Sequence, residues 1–239
     1  SIFVAQYPDN FNPIFKNFSF INKDNTDKSI LNKLQKNFPG AVLTADNEMN
    51  ITKVYESATT LIGEHGLENG KTMGLAGWGK DKQFKNLFEN GIPNEDLFDY
   101  KEDDIRQVYF KEYKDEEVSI VPQSNYSLYA DYAYQVQKQT QQRVLDLVKN
   151  AVEQTGINKV CITGGYGLNV VTNSHLVKNL SNVKFYFEPL ADDSGNSLGA
   201  AMFVYRNKTK DKKKFPLGTT AFQGHKVNFI ITDYGKLSK

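Results

Sequence analysis

A chain of 239 residues with 39% apolar side chains is long enough to bury one sizeable core, and its composition is that of a mixed α/β protein. The formal net charge of +1 argues against nucleic acid as an obligatory partner. No apolar run approaches the roughly 18–20 residues that cross a bilayer, and no signal peptide is visible.

Residues 1–7 (SIFVAQY) read as a strand, with Ile2 and Val4 on one face and Phe3 and Ala5 on the other. A strand that begins at once, from Ser1 rather than Met, leads to the expectation of a piece of a longer protein. Residues 10–25, rich in Phe, Asn and Pro, read as an irregular loop. Residues 27–38 put Ile30, Leu31, Leu34 and Phe38 on one side of a short helix that Pro39-Gly40 ends. Residues 51–63 make a stronger helix, with Val54, Tyr55, Ala58, Leu61 and Ile62 on one face and Asn50 placed to cap it.

Residues 66–79 (GLENGKTMGLAGWG) carry glycines at 66, 70, 74, 77 and 79. A P-loop is excluded, because its first glycine falls on His65 and a helix rather than a strand precedes it. Two readings stay open: a flexible glycine-rich connection, or a backbone-rich loop in which Lys71 neutralises a phosphate. Residues 80–90 read as a short helix closed by Gly91. The acidic, aromatic stretch 97–121 reads as a peripheral insertion with strands at 106–110 and 118–121. A long helix then runs from Ser124 or Asn125 to Thr155, ended by Gly156. Its inner stripe is Leu128, Tyr132, Gln135, Val136, Gln139, Val144, Leu147, Val148 and Val152. The glutamines at its middle imply partial exposure or a lobe interface.

The chain is organised around residues 159–176, KVCITGGYGLNVVTNSHL. Val160, Ile162 and Thr163 read as a short buried strand, Gly164-Gly165 breaks it, and a helix follows from Leu168 to Leu180. A strand, a glycine turn and a helix N-terminus offer free backbone N–H groups and a positive dipole end to a phosphate or a flat adenosine. Cys161, the single cysteine, has no partner for an internal disulfide, which fits a reducing cytoplasm, and packing is its expected role. A strand at 183–188 follows, then PLADDSGNSLG (189–199) leading into an apolar helix. Asp192 and Asp193 are open to two roles, a helix cap or a metal ligand facing the glycine turn. The run KTKDKKK (208–214) reads as a solvated loop, and the tail from 215 holds a strand at 227–232.

A dinucleotide fingerprint fails at its third position, where Val170 stands for Gly or Ala. The order strand, Gly-Gly turn, helix, strand, second glycine turn and small-residue helix fits an actin-like ATPase lobe, with a mixed sheet flanked by helices. At residue level, GGYGLNVVTN (164–173) and PLADDSGNSLGAA (189–201) resemble the GGVALNxxxN and PxAxDxGxxxGAA blocks of the NodU/CmcH-type O-carbamoyltransferases. GKTMGLAGWG (70–79) is similar to that family's GKxMGLAPYG, and residues 215–224 to its PLxxxxxG segment, so the resemblance spans 51–224 in order.

The resemblance implies an enzyme of Kae1-like (ASKHA) lobes that makes carbamoyladenylate from carbamoyl phosphate and ATP, then carbamoylates a hydroxyl of a small-molecule acceptor. It implies that Gly164, Gly165 and Asn169 hold the adenosine with Asn173 in support, that Gly70 and Lys71 lie near the phosphates or the lobe interface, and that Asp193 ligates a divalent metal (Fe, Zn, Mn or Mg). Tyr166-Gly167 replaces the family's Val-Ala, Asp192 replaces a glycine, and Gly77-Trp78 replaces Pro-Tyr. The family's HxxxH pair does not occur among His65, His175 and His225, and its first phosphate loop and C-terminal YrdC-like domain have no counterpart. The expectation is therefore a Kae1-like carbamoyltransferase domain over 1–224, mainly its second lobe, with 225–239 as linker, inactive without the rest of its parent protein. Two other readings are a tRNA threonylcarbamoyl transferase-like enzyme, which the GKTMGLA block and the neutral charge disfavour, and a non-catalytic nucleotide-binding module.

Overall fold

The structure, a computed structural model, describes residues 1–7, 10–19, 28–40, 42–46, 50–62, 64–66, 68–82, 86–89, 92–94, 97–101, 104–110 and 126–211. It is a mixed α/β arrangement. In chain order the elements are β1 (Ile2–Gln6), β2 (Asn10–Ser19), α1 (Lys28–Asn37), β3 (Val42–Asp46), α2 (Ile51–Leu61), α3 (Asn69–Ala76), β4 (Phe88–Glu89) and β5 (Ile92–Pro93). They continue with β6 (Phe98–Lys101), β7 (Asp104–Phe110), α4 (Tyr126–Thr155), β8 (Lys159–Ile162), a 3-10 turn (Gly165–Leu168), α5 (Val170–Asn179), β9 (Lys184–Phe187) and α6 (Gly195–Thr209). Among the described residues the strands form small separate sheets: β1-β2-β3, β4-β5, β6-β7 and the parallel pair β8-β9.

Of the expected loop at 10–25, residues 10–19 are strand β2, and 20–25 lie outside the described residues. β2 pairs antiparallel with β1 through its first half, Asn10 to Phe15, and parallel with β3 through its second, Phe15 to Ser19. Pro13, which has no N–H to give a ladder, faces Phe3 next to a register irregularity and lies outside the stretch paired with β3. Helix α2 starts as its sequence dictates: the Lys53 N–H donates to Asn50 Oδ1 at 3.0 Å.

Helix α4, about 45 Å long at 1.5 Å per residue, is the spine. Its first half packs against α2 and α3, and its middle against α5. Tyr129 and Val136 join Val54, Tyr55, Ala58, Leu61, Ile62 and Leu87 in one apolar cluster. Leu145 and Val148 join Leu176 in a second, lined by Val160, Ile162, Phe185 and Phe187 from β8 and β9. The buried stripe includes Ala130, Ala133, Gln137 and Thr140, which the apolar pattern does not pick out. Small residues there let α2 and α3 approach closely.

Three further expectations are corrected. The stretch 66–79 is not a loop: its centre is α3, with Gly70 and Gly74 inside the helix. Of residues 80–90, those described (80–82 and 86–89) form no helix, and two of their N–H groups go to side-chain acceptors on α4. Lys80 N–H donates to Asp131 Oδ1 at 2.7 Å, and Leu87 N–H to Gln139 Oε1 at 2.7 Å. Asp131, only 3% exposed, is also paired with Lys82; burial pushes its carboxyl up, but these donors outweigh that and hold it below the usual range. Cys161 is exposed, because it sits on the β8 face opposite Val160 and Ile162, and only that second face is packed. Of the stretch 97–121, β7 lies against α2, while 111–125, including the strand expected at 118–121, and the tail from 212 lie outside the described residues.

The last glycine of 66–79 is needed for packing. A Cβ on Gly79 would stand 2.0 Å from the Ala130 carbonyl oxygen and 2.6 Å from Tyr134 Cβ, whereas a Cβ on Gly74 would meet nothing within 4 Å. Gly79→Ala is therefore expected to lower stability by about 1–3 kcal/mol through overpacking. Gly74→Ala, in a helix interior, should raise it by about 0.5–1 kcal/mol. Urea midpoints at unchanged slope measure both, and equal effects of the two alanines would contradict the packing.

Candidate functional site

The candidate site is built where β8 ends. Thr163 leads to Gly164, whose φ of 91° and ψ of 162° belong to a region that essentially only glycine occupies. The chain then turns once as a 3-10 helix, with Gly167 N–H donating to the Gly164 carbonyl at 2.7 Å. Asn169 caps α5, accepting the Thr172 N–H on Oδ1 at 2.9 Å. Asn173 Nδ2 donates back to the Gly167 carbonyl at 2.8 Å, so both asparagines brace the turn. Gly164 and Gly165 are exposed, and a Cβ on either would meet nothing within 4 Å. The result is a patch of bare main chain on a braced support.

The second glycine turn lies beside it. Glu188 N–H donates to the Ile162 carbonyl at 3.1 Å, and a Cβ on Gly167 would stand 3.6 Å from the buried Ala191 methyl. Residues 189–194 thus run alongside the Gly164 turn. Asp192 does not cap α6: its carboxylate takes the Ser194 N–H at 3.0 Å and the Ser194 hydroxyl, and those bonds hold it below the usual carboxylate range. The N-cap position belongs to Ser194, which makes no side-chain capping bond. Asp193 is exposed on this turn. Among the described residues no three His, Cys, Asp or Glu side chains converge as a metal would require, so they do not by themselves build a metal centre.

Gly70 and Lys71 lie on α3. Lys71 Nζ is held by Glu64 at 2.6 Å and Glu68 at 2.9 Å, and these carboxylates raise its pKa. Its charge is thus already matched. The structure brings Gly164, Gly165, Asn169, Asn173 and the Asp193 turn together, and holds Lys71 between Glu64 and Glu68.

Behind the turn is a buried polar network that sequence reasoning missed. Asn169 Nδ2 donates to Gln137 Oε1 at 2.9 Å, and the Tyr55 hydroxyl donates to the same oxygen at 2.8 Å. Gln137 Nε2 lies 3.2 Å from Thr172 Oγ1 and 3.3 Å from Asn169 Oδ1. The Tyr166 hydroxyl donates to Thr140 Oγ1 at 2.9 Å and lies 3.2 Å from Thr172 Oγ1. The rings of Tyr55 and Tyr166 meet edge to face at 6.0 Å. The available signal was a Gln at the middle of an otherwise amphipathic helix, which reads equally as an exposed residue.

With this geometry in place, the comparisons fix the family. The model described as carbamoyltransferase N-terminus matches residues 15–202, and the chain belongs to that family, in agreement with the resemblance of its sequence blocks. An uncharacterized protein of Synechocystis sp., sll1178, is 30% identical over 83 residues, which is 35% of this chain and 14% of that protein. Among solved structures, full-length HypF in its phosphate- and nucleotide-bound form superimposes with a TM-score of 0.37 at 19% identity, over 77% of this chain and 28% of the HypF chain. The chain thus spans 14% of the length of this curated relative.

Burial raises the phenol pKa of both Tyr55 and Tyr166, with the neighbouring Tyr166 adding to the effect at Tyr55. In the unfolded chain these phenols ionise near pH 10, so above that pH the unfolded state sheds protons that the folded state keeps. Stability from both groups is complete below about pH 10 and is lost as pH rises beyond it. Tyr55→Phe is expected to lose less stability than wild type between about pH 9 and 11. Denaturant melts across that range test this, and parallel pH profiles for the two proteins would refute it.

Proposed function

We propose that this chain is the nucleotide-binding part of an O-carbamoyltransferase that uses ATP and carbamoyl phosphate to carbamoylate a hydroxyl of a small-molecule acceptor, within an actin-like, Kae1-like lobe. The observation that carries the reading is the open main chain at Gly164–Gly165, braced from behind by Asn169 and Asn173, in a chain of the carbamoyltransferase family. A flat adenine or ribose can lie on backbone that has no Cβ, and main-chain groups held in a fixed turn lose little freedom when they bind. The neighbouring turn with Asp193 supplies a carboxylate on the same side of the strand ends. Asp193 would be one ligand of a divalent metal there, which would neutralise phosphate charge. For Lys71 to meet a phosphate it has to exchange Glu64 and Glu68 for it.

In the reaction so read, water takes the phosphoryl group of carbamoyl phosphate as inorganic phosphate and leaves carbamate, whose oxygen then bonds to the α-phosphorus of ATP as pyrophosphate departs. The acceptor's hydroxyl oxygen then bonds to the carbonyl carbon, and AMP leaves. The described residues hold the adenosine end of that sequence in place, and their contribution is positioning.

The test uses the full-length protein with ATP, a divalent metal and labelled carbamoyl phosphate, scored for carbamoyladenylate and pyrophosphate. Gly165→Val is the diagnostic variant, because a side chain at Gly165 points into open space and leaves the fold intact while occupying the seat. Expected are adenylate formation in wild type, at least a roughly tenfold weaker ATP affinity in Gly165→Val, about 1.4 kcal/mol, and loss of product with Asp193→Ala. ATP binding without adenylate would leave a non-catalytic module. Equal affinity of wild type and Gly165→Val would remove the seat from this turn.

A further inference from the structure

We propose that Gln137 is a positioning residue for the Gly164–Gly165 seat, acting through a hydrogen-bond relay whose direction is fixed at both ends. The proposal rests on the nucleotide reading of that seat. A backbone N–H can only donate, so the atom of Asn169 that faces Thr172 N at 2.9 Å is its oxygen. Asn169 Nδ2 is thereby turned toward α4, and the atom that receives it at 2.9 Å is Gln137 Oε1, which the Tyr55 hydroxyl also meets as a donor. Gln137 Nε2 then faces Thr172 Oγ1 at 3.2 Å. The Thr172 hydroxyl hydrogen goes on to Tyr166, the Tyr166 hydrogen to Thr140, and the Thr140 hydrogen to the Val136 carbonyl at 2.7 Å, which can only accept. Every bond has one consistent direction.

Only a carboxamide of this length supplies the acceptor and the donor that the middle of the relay needs. Leucine at 137 supplies neither, and glutamate supplies the acceptor alone. Gln137 is 5% exposed and Thr172 1%, so water does not substitute freely for a missing partner. Through Asn169 and Thr172 the amide sets the start of α5, and through Tyr166 it sets the 3-10 turn, so it determines where the bare main chain sits without touching a ligand. Asn169 is committed in the same way: Oδ1 holds Thr172 N and Nδ2 holds Gln137. Its contribution to an adenosine is likewise exerted through the turn.

The test has a ligand-free arm and a ligand arm on the same full-length variants. In the first, amide hydrogen exchange at Thr172 is compared with the global stability of each protein. Gln137→Leu is expected to speed Thr172 exchange by about tenfold beyond its global effect. Gln137→Glu, which keeps the acceptor for Tyr55 and Asn169, recovers part of the protection. Val54→Ala, a fully buried change on α2 outside the relay, speeds it no further than its global loss requires. In the second arm, ATP affinity falls about tenfold in Gln137→Leu, less in Gln137→Glu, and is unchanged in Val54→Ala. If Gln137→Leu and Val54→Ala alter Thr172 protection alike once global stability is matched, Gln137 is a packing residue and the proposal fails. Wild-type protein that binds no ATP overturns the nucleotide reading, while the exchange arm still decides whether Gln137 holds the turn.

Discussion

The paired carboxamides of Gln137 and Asn169 join the long helix α4 to the first turn of α5, and the second half of the described chain hangs from that joint. Apolar burial supplies most of the driving force on either side of it, in the cluster under α2 and the cluster under β8 and β9. Burial is not directional, however, and two greasy surfaces on one helix tolerate sliding and rotation. Hydrogen bonds with fixed donors and acceptors do not. Gln137, Thr140 and Gln141 occupy the stretch of α4 between the clusters, where a one-residue slip would strand several buried polar atoms at once.

Tyr166 shows how this chain accommodates a departure from the sequence blocks it resembles. A tyrosine where those blocks carry valine brings a hydroxyl into a half-buried position, and such a group is costly unless it is bonded. Thr140 and Thr172 supply the partners, and Tyr55 supplies an edge-to-face ring contact. Next to it, Gly167 is buried with only ordinary contacts around its missing Cβ. The larger residue at 166 is therefore absorbed inward, toward α4, and leaves the bare main chain of Gly164–Gly165 on the outside.

What the sequence made legible follows from the range of the interactions involved. Helix α2 with its Asn50 cap, helix α4, and the order strand, glycine turn, helix, strand and helix through 209 are written in local periodicity and breakers. The misses are cases where a partner distant in sequence decides. Strand β2 is a strand because β1 and β3 flank it, against its own Asn and Pro content. The described residues of 80–89 are not helical, and Asp131 and Gln139 on α4 take the N–H groups of Lys80 and Leu87. Glycines 70 and 74 sit in a helix despite their poor propensity, held by the packing of α3 on α4. In the candidate site the glycines were visible as backbone without side chains. Gln137 was not, because nothing in a helical pattern separates a glutamine that meets solvent from one that meets an asparagine thirty-two positions away.

The same division assigns different work to side chains and backbone at the site. If the Asn169 amide pointed outward to read a ligand, Thr172 N would lose its acceptor and Gln137 Oε1 one of its two donors, both in a region closed to water. A seat built that way would trade its own support for each contact it made. With the amide turned inward, the support is complete before anything binds, and the exposed groups are main-chain atoms whose positions the turn already fixes. Recognition by backbone suits a ligand that is flat and common to many reactions. On the proposed nucleotide reading, such a turn carries no discrimination between acceptors, and that work falls to side chains outside it.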